Sequence, residues 1–176
     1  KDNGDHEFAE QARFEIGDLY LQKGLFVIDE LKDPEKAAKA AEHKKIGQDA
    51  FKQARQYIDS MIGRLHSALE KEADPKKSDV LFGAQMTARY NFLRVHYYNA
   101  LLYDEGSAER KDLLTKAKGQ YMDFALDYGD RFLNYDASIL AGNIFKCLGD
   151  AGSSMASFDA AIALRDMYDK AKGGGY

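Results

Sequence analysis

Apolar residues recur along this chain at steps of three and four, and these steps divide it into helices. Between Asp5 and about Leu31, the residues Phe8, Ala12, Ile16, Leu19 and Tyr20 form such a row, which predicts an amphipathic helix that buries this stripe. Asp33-Pro34-Glu35 then reads as a helix start, with a capping carboxylate, a proline at the first position and an acid near the N-terminal dipole. The stripe Tyr57, Ile58, Met61, Ile62, Leu65 and Leu69 carries this second helix to about Glu72. A break near Gly47 is the alternative, because an interior glycine costs about 1 kcal/mol relative to alanine. Asp74-Pro75 repeats the start signal and opens a third helix that runs to about Tyr103. Two of its rows are mostly apolar: Tyr90, Leu93, Tyr97, Leu101, and Phe92, Val95, Asn99, Leu102. A helix apolar on two faces is packed on two sides, which makes it the expected central helix. Further helices are expected over about Ala108 to Tyr128, Asp136 to Leu148 and Gly152 to Lys170, followed by a glycine-rich tail at 173–176.

The stretch from Ala141 to Ala161 holds the clearest short-range pattern. Gly142 is followed by Phe145 and then by Gly149, and Ser154, Phe158 and Ala161 follow at helical spacing. Small residues let two backbones approach, and the aromatics fill the space opposite. The spacing Gly17, Tyr20, Gly24 repeats Gly142, Phe145, Gly149, and Gly47, Phe51, Ala54 repeat the second half about 18 residues later than expected. Ala117, Tyr121 and Phe124 give a weaker middle copy. This arrangement resembles the tetratricopeptide repeat, a helix-turn-helix unit with small and aromatic residues at these offsets.

The resemblance implies an all-α protein in which antiparallel helix hairpins stack as a short right-handed array, with a long helical insertion in the first unit. The units are expected at about 5–72, 75–130 and 134–171, forming a single domain, with either further repeats beyond it or the last helix as its cap. It also implies a groove lined by the first helix of each hairpin, where Phe14, Asp18 and Gln22 in the first unit and Ile139, Asn143 and Lys146 in the last would face a bound peptide. Members that clamp a chaperone's terminal carboxylate use a lysine and an asparagine. Phe14 and Asp18 stand at those places in the first unit, so that ligand is not expected, although Asn143 stands at the asparagine position in the last. The implied function is a non-catalytic scaffold for a peptide or protein partner. The insertion, poor in large apolar residues, is expected to form a projecting or loosely packed hairpin from Leu25 to Lys45, anchored by Phe26, Val27 and Leu31, and to offer a surface for a partner or for self-association.

Composition narrows the chemistry. A net charge of -4, from 25 basic and 29 acidic residues, gives no global field for a polyanion, so nucleic acid is not an expected partner. No apolar run approaches the ~20 residues needed to span a bilayer, and the first residues contain no signal core. The single Cys147 excludes an internal disulfide and reads as a small helix residue. His6, His43, His66 and His96 lack metal-ligand spacing, and His66 with Glu70 reads as a surface pair. No nucleophile elbow or phosphate loop is present, and Ser153-Ser154 sit where a helix cap is expected. No metal or cofactor is therefore expected. The alternative function is small-molecule binding or catalysis around Tyr97, Tyr98 and His96 on the tyrosine-rich third helix, signalled by a closed cavity there; a packed aromatic core signals the scaffold.

Overall fold

The computed structural model describes the backbone of residues 3–129 and 131–173 and the side chains of 12–35, 38–129 and 131–170. The expectations for the side chains of His6 and Phe8 and for tail residues 174–176 lie outside the described residues. Within them the chain is all-helical: α1 (Asn3–Glu30), a 3-10 turn (Pro34–Lys39), α2 (Ala40–Leu69), α3 (Pro75–Ala100), α4 (Ala108–Tyr128), α5 (Leu133–Cys147) and α6 (Ala151–Gly173). Start signals read from the sequence are in place. The Asp33 carboxylate accepts from the Glu35 backbone at 3.0 Å, and that of Asp74 from Lys76 at 2.9 Å. The cap of α6 is Asp150, which accepts from the Ser153 backbone at 3.0 Å. Ser154, expected as a cap, is instead buried and donates across to the Gly142 carbonyl at 2.8 Å.

Consecutive helices pack as antiparallel neighbours, and α3 also touches both α1 and α5. No packing of comparable extent joins α2 to α4 or α4 to α6. The odd-numbered helices thus form the closer layer and the even-numbered ones the more open layer. Two clusters make up the core. Leu21, Val27, Phe51, Ala54 and Ile58 meet the Ala88, Val95 and Leu102 side of α3, while Leu93 and Ala100 face Leu114, Phe124, Tyr128 and Ile144. Helix α3 supplies both clusters, as its two apolar rows require.

Glycines set the closest contacts. A Cβ on Gly142 would lie 2.5 Å from the Phe158 ring, and one on Gly24 2.6 Å from the Phe51 ring. The first hairpin therefore uses a different register from the one read in the sequence. Gly24, taken as the counterpart of the turn glycine Gly149, lies inside α1 and pairs with Phe51, while Gly17 lies against Tyr57 and Ile58. Gly149 is a true turn position: its φ is +78°, and Asp150 donates back to the Phe145 carbonyl at 2.9 Å, a left-handed helix end that favours glycine. Matching Gly24–Phe51 to Gly142–Phe158, 27 and 16 positions apart, leaves eleven extra residues in the first hairpin rather than eighteen. The stripe of α1 shifts with the register. Gly17, Leu21, Gly24 and Val27 are buried, whereas Leu19 is 67% exposed, because α2 approaches along the small-residue face.

The insertion also differs from expectation. Its first part is a 3-10 turn rather than α-helix, and α2 runs unbroken through Gly47. Burial explains why that glycine is tolerated: a Cβ there would lie 2.6 Å from Leu102 and 3.0 Å from Val27. Val27 is 5% exposed, and Lys44 pairs with Asp104 at 2.9 Å. The base of the hairpin, at Val27 and Gly47, is thus part of the core, whereas none of the described residues from 28 to 46 is buried and the 3-10 turn packs mainly on α2. Phe26, expected as an anchor, is 64% exposed, and Leu31 is partly buried against the first cluster.

Candidate functional site

A large cleft opens where α3 ends, α4 begins and α5 ends. Its volume is about 770 Å³, and it is open to solvent. Gly106, at φ +80°, turns the chain after α3, and Ser107 caps α4 by accepting from the Arg110 backbone at 3.2 Å. Arg110 fixes this loop by donating to the Tyr103 carbonyl at 3.1 Å and approaching Glu105 at 3.6 Å. From the other side α5 contributes Asn143, Lys146, Cys147 and Leu148. Lys111 and Lys146 are exposed and have no ion-pair partner among the described residues. Tyr97 lines the same cleft. Burial, then the neighbouring Cys147 and Tyr98, pushes its hydroxyl up to about 12, so it remains a neutral hydrogen-bonding group at physiological pH. The site accordingly offers two free cations, a phenol and the apolar side chains of Leu114 and Leu148, and its lining is net positive in a chain of net charge -4.

Of the residues expected to form one binding surface, Asn143 and Lys146 line this cleft. The Asn143 amide donates to the Ile139 carbonyl of its own helix at 3.2 Å, which leaves its oxygen and one N–H. Phe14 and Asp18 are half-buried and Gln22 is exposed on α1, which makes no packing contact with α5; these three do not join the cleft. The remaining pattern residues are structural. Tyr20 stacks on Tyr57 with centroids 6.0 Å apart, Phe145 packs edge-on to Tyr121, and Ala161 is 3% exposed.

The aromatic set of α3 is mainly packing. Tyr90 tilts against Phe124 at 6.2 Å, Phe92 meets the His96 ring edge-on at 4.9 Å, and Tyr98 touches both core clusters. Among the described residues, the clefts at Tyr97 and His96 are open. No cluster of three or more potential metal ligands occurs among the described residues, and His66 and Glu70 form an exposed pair at 3.5 Å.

A second site is a polar groove between α2 and α4, floored by α3, which follows from the gap between the even-numbered helices. Lys52 and Arg55 of α2 and Lys116 of α4 line it above His96, which is 4% exposed. The sequence signal was the spacing Asp49, Lys52, Arg55, Asp59 along one face of α2, which reads alone as a solvated face. Burial holds His96 below its ordinary value near 6.5, opposed by the bond from its Nδ1 to the Phe92 carbonyl, with Arg55 and Lys116 lowering it further. The unfolded chain therefore takes a proton here more readily than the folded one. Stability is full above about pH 6.5 and declines as pH falls below it toward the depressed folded value. Urea midpoints measured in dilute chloride buffer at about pH 7 and about pH 5 are expected to drop more for the native chain than for His96→Gln; equal drops would show that His96 does not contribute.

Comparison with protein-family models, with curated proteins and with solved structures finds no match for this chain. No helix among the described residues is long and apolar enough to cross a membrane.

Proposed function

We propose that this chain is a non-catalytic interaction module of the tetratricopeptide type, which binds an acidic peptide segment of a partner protein in the cleft between α3, α4 and α5. The observation that carries this reading is the presence of two unpaired lysines, Lys111 of α4 and Lys146 of α5, with Tyr97 of α3 in one open cleft. An extended peptide supplies what such a cleft lacks: carboxylates for the lysines, backbone groups for Asn143 and the tyrosine, and an apolar side chain over Leu114 and Leu148. Its openness suits a chain that enters from the side rather than an enclosed small molecule.

Panning a random peptide library on the full chain tests this. Acidic sequences carrying one apolar anchor are expected to be enriched, and each should lose at least about tenfold in affinity to the Lys111→Glu, Lys146→Glu double variant. Enrichment of basic peptides, or of peptides that bind the double variant equally well, would overturn the reading.

A further inference from the structure

We propose that the groove between α2 and α4 is an oxyanion site that takes a phosphate-type group between Arg55, Lys52 and Lys116, above His96. This inference is independent of the peptide cleft, which lies on other residues. Arg55 is only partly exposed, yet it has neither a hydrogen-bond nor an ion-pair partner among the described residues. A guanidinium has five donors in a planar fork, and those of Arg55, which solvent reaches, are open to an acceptor that enters the groove. Lys52 stands one turn before it on the same helix. On the facing wall, Lys116 is held by Asp112 at 2.7 Å. The groove they help to line, about 330 Å³ and open to solvent, exceeds the size of a phosphate group and leaves room for part of its carrier.

The floor of the groove couples to such a ligand. His96 Nδ1 is committed to the Phe92 carbonyl at 3.0 Å, so the neutral ring carries its proton there, and Nε2 is an acceptor. Gln120, whose side chain is within reach of this imidazole, has its buried Oε1 without a donor. A proton on Nε2 would satisfy that oxygen. Burial and the two cations Arg55 and Lys116 oppose it. Asp49, Glu109 and Asp112 also line the groove, as does Tyr103, but no carboxylate is among the groups that act appreciably on the ring. An anion seated between Arg55 and Lys116 offsets their charge though not the burial, so binding favours protonation of His96 at Nε2, with the proton taken from solvent. Arginine is suited to this role because its fork matches two phosphate oxygens.

The test uses the full chain, with the His96 ring resonances followed by NMR during titration with inorganic phosphate, against sodium chloride at matched ionic strength. The expected result is a saturable shift and a His96 pKa raised in saturating phosphate but not in chloride. Arg55→Gln should weaken the effect at least about tenfold, and Arg55→Lys, which keeps the charge and loses the fork, should fall between. Helical circular dichroism confirms that each variant is folded; Lys116→Gln provides a second reading if Arg55→Gln does not fold. O-phosphoserine and glycerol phosphate, run in parallel, distinguish a protein-borne phosphate from a small-molecule ester by which binds more tightly. Absence of a saturable shift with all three probes, or an equal shift in folded Arg55→Gln or Lys116→Gln, would overturn the proposal.

Discussion

Replacing Gly24 with leucine is expected to destabilise the protein by about 2 kcal/mol, whereas Gly63→Ala should stabilise it by about 0.5–1 kcal/mol. Both glycines lie inside long helices, so helix propensity alone predicts a gain at each. The difference is the neighbour. Nothing lies within 4 Å of a Cβ at Gly63, but one at Gly24 meets three atoms of the Phe51 ring at 2.6–2.8 Å. Phe51 is 0% exposed, so moving its ring disturbs the core around it. Phe158, opposite Gly142, is only partly buried and can move outward, so Gly142→Leu should cost less than Gly24→Leu. Phe51→Ala alone should cost about 3–5 kcal/mol, and combining it with Gly24→Leu should recover part of that loss as the new side chain enters the vacated space. Denaturation midpoints decide the matter. Equal behaviour of Gly24→Leu and Gly63→Ala would show that the Gly24–Phe51 contact is not a close one.

Deleting Asp33 to Lys44 and rejoining the chain with a short turn is expected to cost about 2 kcal/mol or more and to broaden the unfolding transition. On length alone the deletion removes little, because the segment has few large apolar residues. The positions on either side of it carry the cost. Val27 and Gly47 meet across the hairpin against Leu102, and this contact depends on the first turns of α2 being present. Removal also breaks the Lys44–Asp104 pair, but that pair is exposed and contributes little. A shortened chain with unchanged stability would show that the arm is independent of the core.

The sequence carried the helices but not their register. Periodicity and the two Asp-Pro signals placed all six α-helices, and the twin apolar rows of α3 identified the helix that both cores share, because a helix interior reflects only its own neighbours along the chain. The fit between α1 and α2 was misread because Gly17 and Gly24 are seven residues apart and nearly on one face. Either could oppose an aromatic ring, and the choice depends on how the hairpin closes. Likewise Leu19 read as core, since its row matched a helical stripe, yet α2 approaches along the glycines and leaves it outside. Asn143 and Lys146 could be singled out through the repeat pattern. Tyr97 stood out only as one of the aromatic set of α3 and Lys111 not at all, since the cleft draws residues from three helices whose crossing no local pattern encodes. The groove over His96 was hidden for the same reason: Arg55 and Lys116 are 61 positions apart and read separately as surface charges.

The cleft between α3, α4 and α5 is proposed as the place where a partner peptide sits. The most direct measurement is an amide chemical-shift map of the full chain with a peptide selected from the library. The predicted result is perturbation concentrated at Tyr97, Gly106 to Lys111 and Asn143 to Leu148, abolished in the Lys111→Glu, Lys146→Glu variant. Perturbation confined to α1 and α2, or spread evenly without saturation, would contradict it.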